Sequence, residues 1–142
     1  MSSFGYRASG KAQNEREVDL MSATTILVVD DSPFASQQIK DIVEGNGYKV
    51  VGYAKNGEEG IRLFDELKPD ITILDIIMPG IDGLETAEII LKNAPDAKIM
   101  MLSSLCDAGT LEEVKSIGLK YLVPKPWEDE VLLATLEMLV KN

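Results

Sequence analysis

Five polar side chains stand where four short apolar runs end. The run 26–29 leads into Asp30 and Asp31, 71–74 into Asp75, 99–102 into Ser103, and 121–123 is followed by Pro124 and Lys125. In a parallel α/β sheet the carboxyl ends of neighbouring strands open onto one crevice, which is where such folds bind ligands. If these runs are parallel strands, the five side chains converge there. Clustered carboxylates repel one another and call for a hard divalent cation, while a hydroxyl and an ammonium suit an anion with several oxygens. That combination is the chemistry of Mg2+-assisted phosphoryl transfer.

The elements needed to position them are readable. Five apolar runs alternate with five amphipathic segments, the pattern of a doubly wound βα fold. Strands are expected near 25–29, 49–53, 71–74, 98–102 and 120–123. Ser32 followed by Pro33 caps the first helix and pre-sets its first turn, and Gly45, Asn46 and Gly47 stop it. Asn56 with Glu59 opens the second helix, whose apolar face is Ile61, Phe64 and Leu67. Asp82 with Glu85 opens the third, with Leu84, Ala87 and Leu91 inward, and Asp107 opens the fourth, with Leu111, Val114 and Ile117 as its stripe. The last helix is expected over 128–140. Residues 1–22 are polar, mixed in charge and without steady periodicity, so they read as a flexible N-terminal tail or as added sequence ahead of one domain over 23–142.

Composition removes whole classes of function. The chain has 142 residues, 45% of them apolar, enough for one domain with a sizeable core. A net charge of -10 works against direct binding of nucleic acid or anionic lipid. No apolar run reaches the length of a membrane span and no secretory signal opens the chain, so a cytoplasmic protein is expected. One cysteine, Cys106, excludes an intramolecular disulfide, and it reads as a free thiol in a loop. The absence of histidine removes catalytic triads and histidine-ligated zinc, so a histidine in the chemistry must come from a partner. Singly, each polar residue has a plainer reading: a strand-end aspartate is commonly a helix cap, and a lysine before proline a surface residue.

Asp30-Asp31 after the first run, Asp75 followed by Met78-Pro79-Gly80 and Asp82-Gly83, Ser103-Ser104 after the fourth and Lys125-Pro126 after the fifth together resemble the receiver domain of two-component response regulators. The resemblance extends from Thr24 to Asn142. It implies a flavodoxin-like five-stranded parallel sheet, order 2-1-3-4-5, with five helices. By the same resemblance Asp75 is the phosphoacceptor, Asp31 a direct Mg2+ ligand, Asp30 a ligand acting through water, and the Ile77 backbone carbonyl a further ligand. Lys125 and Ser103 then contact phosphoryl oxygens. The implied donor is a phosphohistidine on a sensor histidine kinase or a histidine phosphotransfer protein. Lys125-Pro126 is a candidate cis bond.

Two departures and one surface feature complete the reading. The family commonly places an aromatic residue three positions before the lysine, where this chain has Leu122; Tyr121, one residue earlier, is expected on the opposite face of the sheet. Ile77 and Leu105 are apolar where the family's residues flank the path of attacking water, which predicts slow self-dephosphorylation. In the last helix Leu132, Leu136 and Leu139 form the expected buried stripe, while Val131, Ala134 and Met138 recur on a second face. With no effector domain after Asn142, that face is expected to dock a downstream protein, as in chemotaxis regulators, with the receiver a monomer or a phosphorylation-dependent dimer. The alternatives are a phosphorelay intermediate, a receiver fragment of a larger DNA-binding regulator, or a Mg2+-dependent phosphatase with an aspartyl-phosphate intermediate. The phosphatase lacks its usual second carboxylate, because that position is Ile77. A binding module with an inactive pocket, and a flavin carrier, fit the acidic, hydroxyl and lysine set less well.

Overall fold

The computed structural model describes residues 23–141; the segment 1–22, read above as a tail, lies outside them. Five strands, β1 (Thr25–Val29), β2 (Lys49–Ala54), β3 (Ile71–Asp75), β4 (Lys98–Ser103) and β5 (Leu122–Pro124), alternate with five helices, α1 (Pro33–Glu44), α2 (Gly57–Leu67), α3 (Gly83–Asn93), α4 (Ala108–Ser116) and α5 (Asp129–Lys141). The strands form one sheet in the order β2-β1-β3-β4-β5, every pair parallel. This is the flavodoxin-like order expected from the sequence.

Strand alternation divides the core into two layers. Ile26, Val28, Ile71, Ile73, Met100 and Leu102 face α1 and α5, where they meet Ile39, Val43, Leu132, Leu136 and Leu139. Leu27, Val29, Leu74, Ile99 and Met101 face α2, α3 and α4, where they meet Ala87, Ile90 and Val114. Both faces of the central strands are covered, so their runs are apolar throughout rather than alternating. Leu74, the residue before Asp75, is fully buried against the α2–α4 layer. Leu74→Ala is expected to cost about 2–5 kcal/mol in urea denaturation, from lost transfer free energy and the cavity left behind.

The helices begin where the capping residues place them. Ser32 accepts from the Ala35 amide, Asn56 from Glu59, Asp82 from Glu85 and Asp107 from Thr110. Glu59 reaches back to the Lys55 amide at 2.8 Å, one residue ahead of the cap.

Several boundaries and faces differ from expectation. Asp75 and Ser103 lie inside β3 and β4 rather than after them, because both pairings continue to the last residue. β5 is shifted toward the C-terminus and includes Pro124, which pairs in register with Ser103. As the outer strand it has no further neighbour to receive an N–H, so proline is tolerated. Leu67 and Leu111 are partly exposed, although the periodicity put both inward. Leu67 ends α2, where the helix leaves the sheet, and Leu111 lies in the first turns of α4, a helix whose buried contact is made by Val114 alone. Leu122 packs on the α2–α4 layer and Tyr121 on the α1 and α5 layer, opposite faces as anticipated. No helix among the described residues is long and apolar enough to cross a membrane.

Candidate functional site

β1 continues outward to β2 on one side and is flanked by β3 on the other, so the chain reverses its direction of growth between β1 and β3. In open α/β sheets the crevice at such a switch point is the ligand site. Asp30 and Asp31 follow β1, and Asp75 ends β3. The three carboxylates present oxygens that all lie within 4.8 Å of one another. Ser103, at the end of β4, is fully buried, and Lys125 follows β5. The structure therefore brings four of the five side chains singled out in the sequence, Asp30, Asp31, Asp75 and Lys125, to one place, and sets Ser103 at the end of the neighbouring strand.

Hydrogen bonds give each a distinct status. Lys125 Nζ lies 3.0 Å from Asp30 Oδ2 and 3.2 Å from Asp75 Oδ2, so one ammonium bridges both buried carboxylates. Asp30 Oδ1 also accepts from the Ser32 amide at 2.9 Å, and Asp75 Oδ1 from the Ile77 amide at 3.3 Å. Asp31 is exposed, and no hydrogen bond or ion pair holds its carboxylate among the described residues. Ser103 Oγ accepts from the Leu105 amide, and the Ser103 carbonyl accepts from the Lys125 amide at 2.9 Å. That last bond ties the lysine's backbone to the serine's, so the two stand side by side over the sheet edge. Lys125-Pro126 is cis, as expected.

The electrostatics follow from burial and charge. Burial first, and the Asp30 charge second, push the Asp75 carboxyl above its usual range; Lys125 and the Ile77 amide oppose them without cancelling the rise. For Lys125 burial is the largest single influence and would lower its value. The hydrogen bonds and charges of Asp30 and Asp75 outweigh it together and hold the ammonium above its usual range. A single cation shared between two buried carboxylates leaves the cluster short of positive charge, and two oxygen-rich walls with a free Asp31 suit a further hard cation. The donor set, all oxygen with no thiolate or imidazole, fits Mg2+ better than a softer metal.

A cavity of about 820 Å3 opens beside Asp75 and Lys125, walled by Gln38, Asp41 and Ile42 of α1 and by Trp127 of the β5–α5 connection. No residue pattern signals this cavity, because its walls come from separate elements, α1 and the β5–α5 connection. Cys106 is exposed, its Sγ donating to the Ser103 carbonyl at 3.3 Å, as a free loop thiol.

Residues 26–137 match the family model of the response regulator receiver domain. The chain belongs to the response regulator receiver family. It is 39% identical over 116 residues to the chemotaxis protein CheY of Listeria monocytogenes, covering 82% of this chain and 98% of that protein. CheY of Thermotoga maritima is 35% identical, with 82% and 97% covered. Among solved structures, a chain of the CheX–CheY–BeF3–Mg2+ complex from Borrelia burgdorferi superposes with a TM-score of 0.79 at 27% identity, covering 82% of this chain and 89% of that one. The chain thus carries a CheY-like receiver domain, a signalling module of two-component type, activated by phosphorylation.

Proposed function

We propose that this receiver accepts a phosphoryl group on Asp75 from the phosphohistidine of a sensor histidine kinase or a histidine phosphotransfer protein. The single observation that carries the assignment is the bridging ammonium: Lys125 Nζ reaches Asp75 at 3.2 Å and Asp30 at 3.0 Å. An Asp75 carboxylate oxygen forms the new O–P bond as the donor's N–P bond breaks, the electron pair of that bond staying with the imidazole. Lys125 and Ser103 take the phosphoryl oxygens, the first as a compact positive charge and the second as a hydrogen-bond donor. Asp31, Asp30, Asp75 and the Ile77 carbonyl would hold Mg2+, which when bound supplies charge neutralisation of the carboxylates and of the incoming phosphoryl group. Because phosphoryl transfer asks mainly for positioning and charge, this set is sufficient.

The proposal extends to the rest of the chain. Residues 23–142 act as the receiver domain and 1–22 as a tail, in a cytoplasmic protein without direct nucleic-acid contact. Val131, Ala134 and Met138 are exposed along α5 and offer an apolar strip to a downstream protein target.

Intact-protein mass after incubation with acetyl phosphate tests the reading. One phosphoryl adduct is expected with Mg2+ and none after chelation by EDTA, and hydroxylamine should remove it, as it cleaves acyl phosphates. Absence of an adduct under conditions that label another receiver would refute the assignment.

A further inference from the structure

The loop from Ile77 to Asp82 is closed at its base by one short bond. The Gly83 amide donates to the Ile76 carbonyl at 2.7 Å, seating the first turn of α3 directly on the end of β3. A Cβ built on Gly83 would lie 2.1 Å from the Asp75 carbonyl oxygen, 2.7 Å from Ile76 Cα and 2.8 Å from the Asp75 carbonyl carbon. All three neighbours are backbone, so no side-chain rotation relieves the clash. The strand end itself would have to move, and it carries both the Asp75 carboxylate and the Ile77 carbonyl. The same turn is fastened from the far side, where Thr86 Oγ1 donates to the Asp82 carbonyl at 2.8 Å.

We propose that Gly83 is a positioning residue for phosphoryl acceptance: having no side chain, it lets α3 press on the Asp75–Ile76 backbone and so sets the carboxylate and carbonyl oxygens at the spacing a divalent cation needs. This rests on reading Asp75 and Ile77 as the metal-binding acceptor site. Gly52 of β2 provides the contrast, because a Cβ there would be 2.6 Å from Leu67 Cδ1 and 3.4 Å from Leu27 Cδ1, which are the ends of side chains that belong to neither the Ile77–Asp82 loop nor the end of β3. Both glycines face a contact under 3 Å. Only Gly83 crowds the acceptor's own backbone.

The test is calorimetric titration of the full chain with Mg2+ alone, alongside thermal unfolding and the rate of adduct formation with acetyl phosphate. Gly83→Ala is expected to weaken Mg2+ binding about tenfold or more, the range seen when groups supporting metal ligands are disturbed, and to slow adduct formation in parallel. Gly52→Ala, whatever its effect on the unfolding temperature, should leave Mg2+ affinity within about twofold of wild type. Thr86→Val, which removes the fastening bond without crowding, should weaken Mg2+ binding by less than Gly83→Ala, and carries the test if that variant does not fold. Unchanged Mg2+ affinity in Gly83→Ala or, failing it, in Thr86→Val would overturn the proposal, as would equal weakening in Gly52→Ala. A wild type that binds Mg2+ yet takes no phosphoryl group would instead overturn the functional reading, and the calorimetry would still decide the role of Gly83.

Discussion

Asp75→Asn is expected to take up no phosphoryl group from acetyl phosphate under conditions where the wild type is fully labelled, read as intact mass. The substitution keeps shape and hydrogen-bonding reach but replaces an anionic oxygen nucleophile by an amide, which does not attack phosphorus. Asp30 is not a substitute: it is held by Lys125 and by the Ser32 amide, and Asp31 faces solvent. The loss is separable from unfolding by a second measurement. Burial and the Asp30 charge hold the Asp75 carboxyl above its usual range, so its ionised form at neutral pH costs folding free energy. The sign is that of a raised carboxyl: the stabilisation it lends is complete below the unfolded value and lost as pH rises through the folded one. At neutral pH and without divalent cation, Asp75→Asn should therefore unfold at a higher urea concentration than wild type. A variant less stable than wild type would show that the Lys125–Asp75 pair outweighs desolvation, and a labelled variant would place the acceptor elsewhere.

The parts of the site that the sequence exposed are those governed by local rules. Ser32, Asn56, Asp82 and Asp107 cap helices because short polar side chains satisfy orphan amides three residues on, and that rule needs no tertiary knowledge. Asp30, Asp31, Asp75 and Lys125 converge because each ends an apolar run, and a parallel sheet gathers such ends. What stayed hidden depends on distances between elements. That one ammonium bridges Asp30 and Asp75, rather than pairing with one of them, is a matter of distances across three strand ends, which no run of residues displays. Gly83 was visible only as part of a motif, since a glycine's reason for being small lies in the backbone it touches, here Asp75 and Ile76. The exposure of Leu111 was missed for a related cause: α4 buries Val114 alone, so a helical period continued past the contact that justifies it.

The second large effect concerns how long the acyl phosphate lasts. Ile77 and Leu105 are 49% and 55% exposed, and together with Ser103 and Met78 they line a cavity of about 300 Å3 at the ends of β3 and β4. Hydrolysis needs a water held in line with the phosphorus and, for speed, a group to take its proton. Neither aliphatic side chain can accept a hydrogen bond, so neither can orient a water from its position. Ile77→Asn with Leu105→Glu supplies an amide and a carboxylate at those two positions, so loss of the phosphoryl group should accelerate by about 10²-fold, the usual scale for an added acid–base group. Since both side chains are half exposed, the exchange is expected to change stability by no more than about 0.5 kcal/mol. The measurement is decay of the phosphorylated mass after donor removal, with Mg2+ held constant, for the two single variants and the double. Equal or slower decay in the double variant would mean that access, not orientation, limits the water, and that the lifetime is set by Lys125 and the buried wall of Ser103 instead.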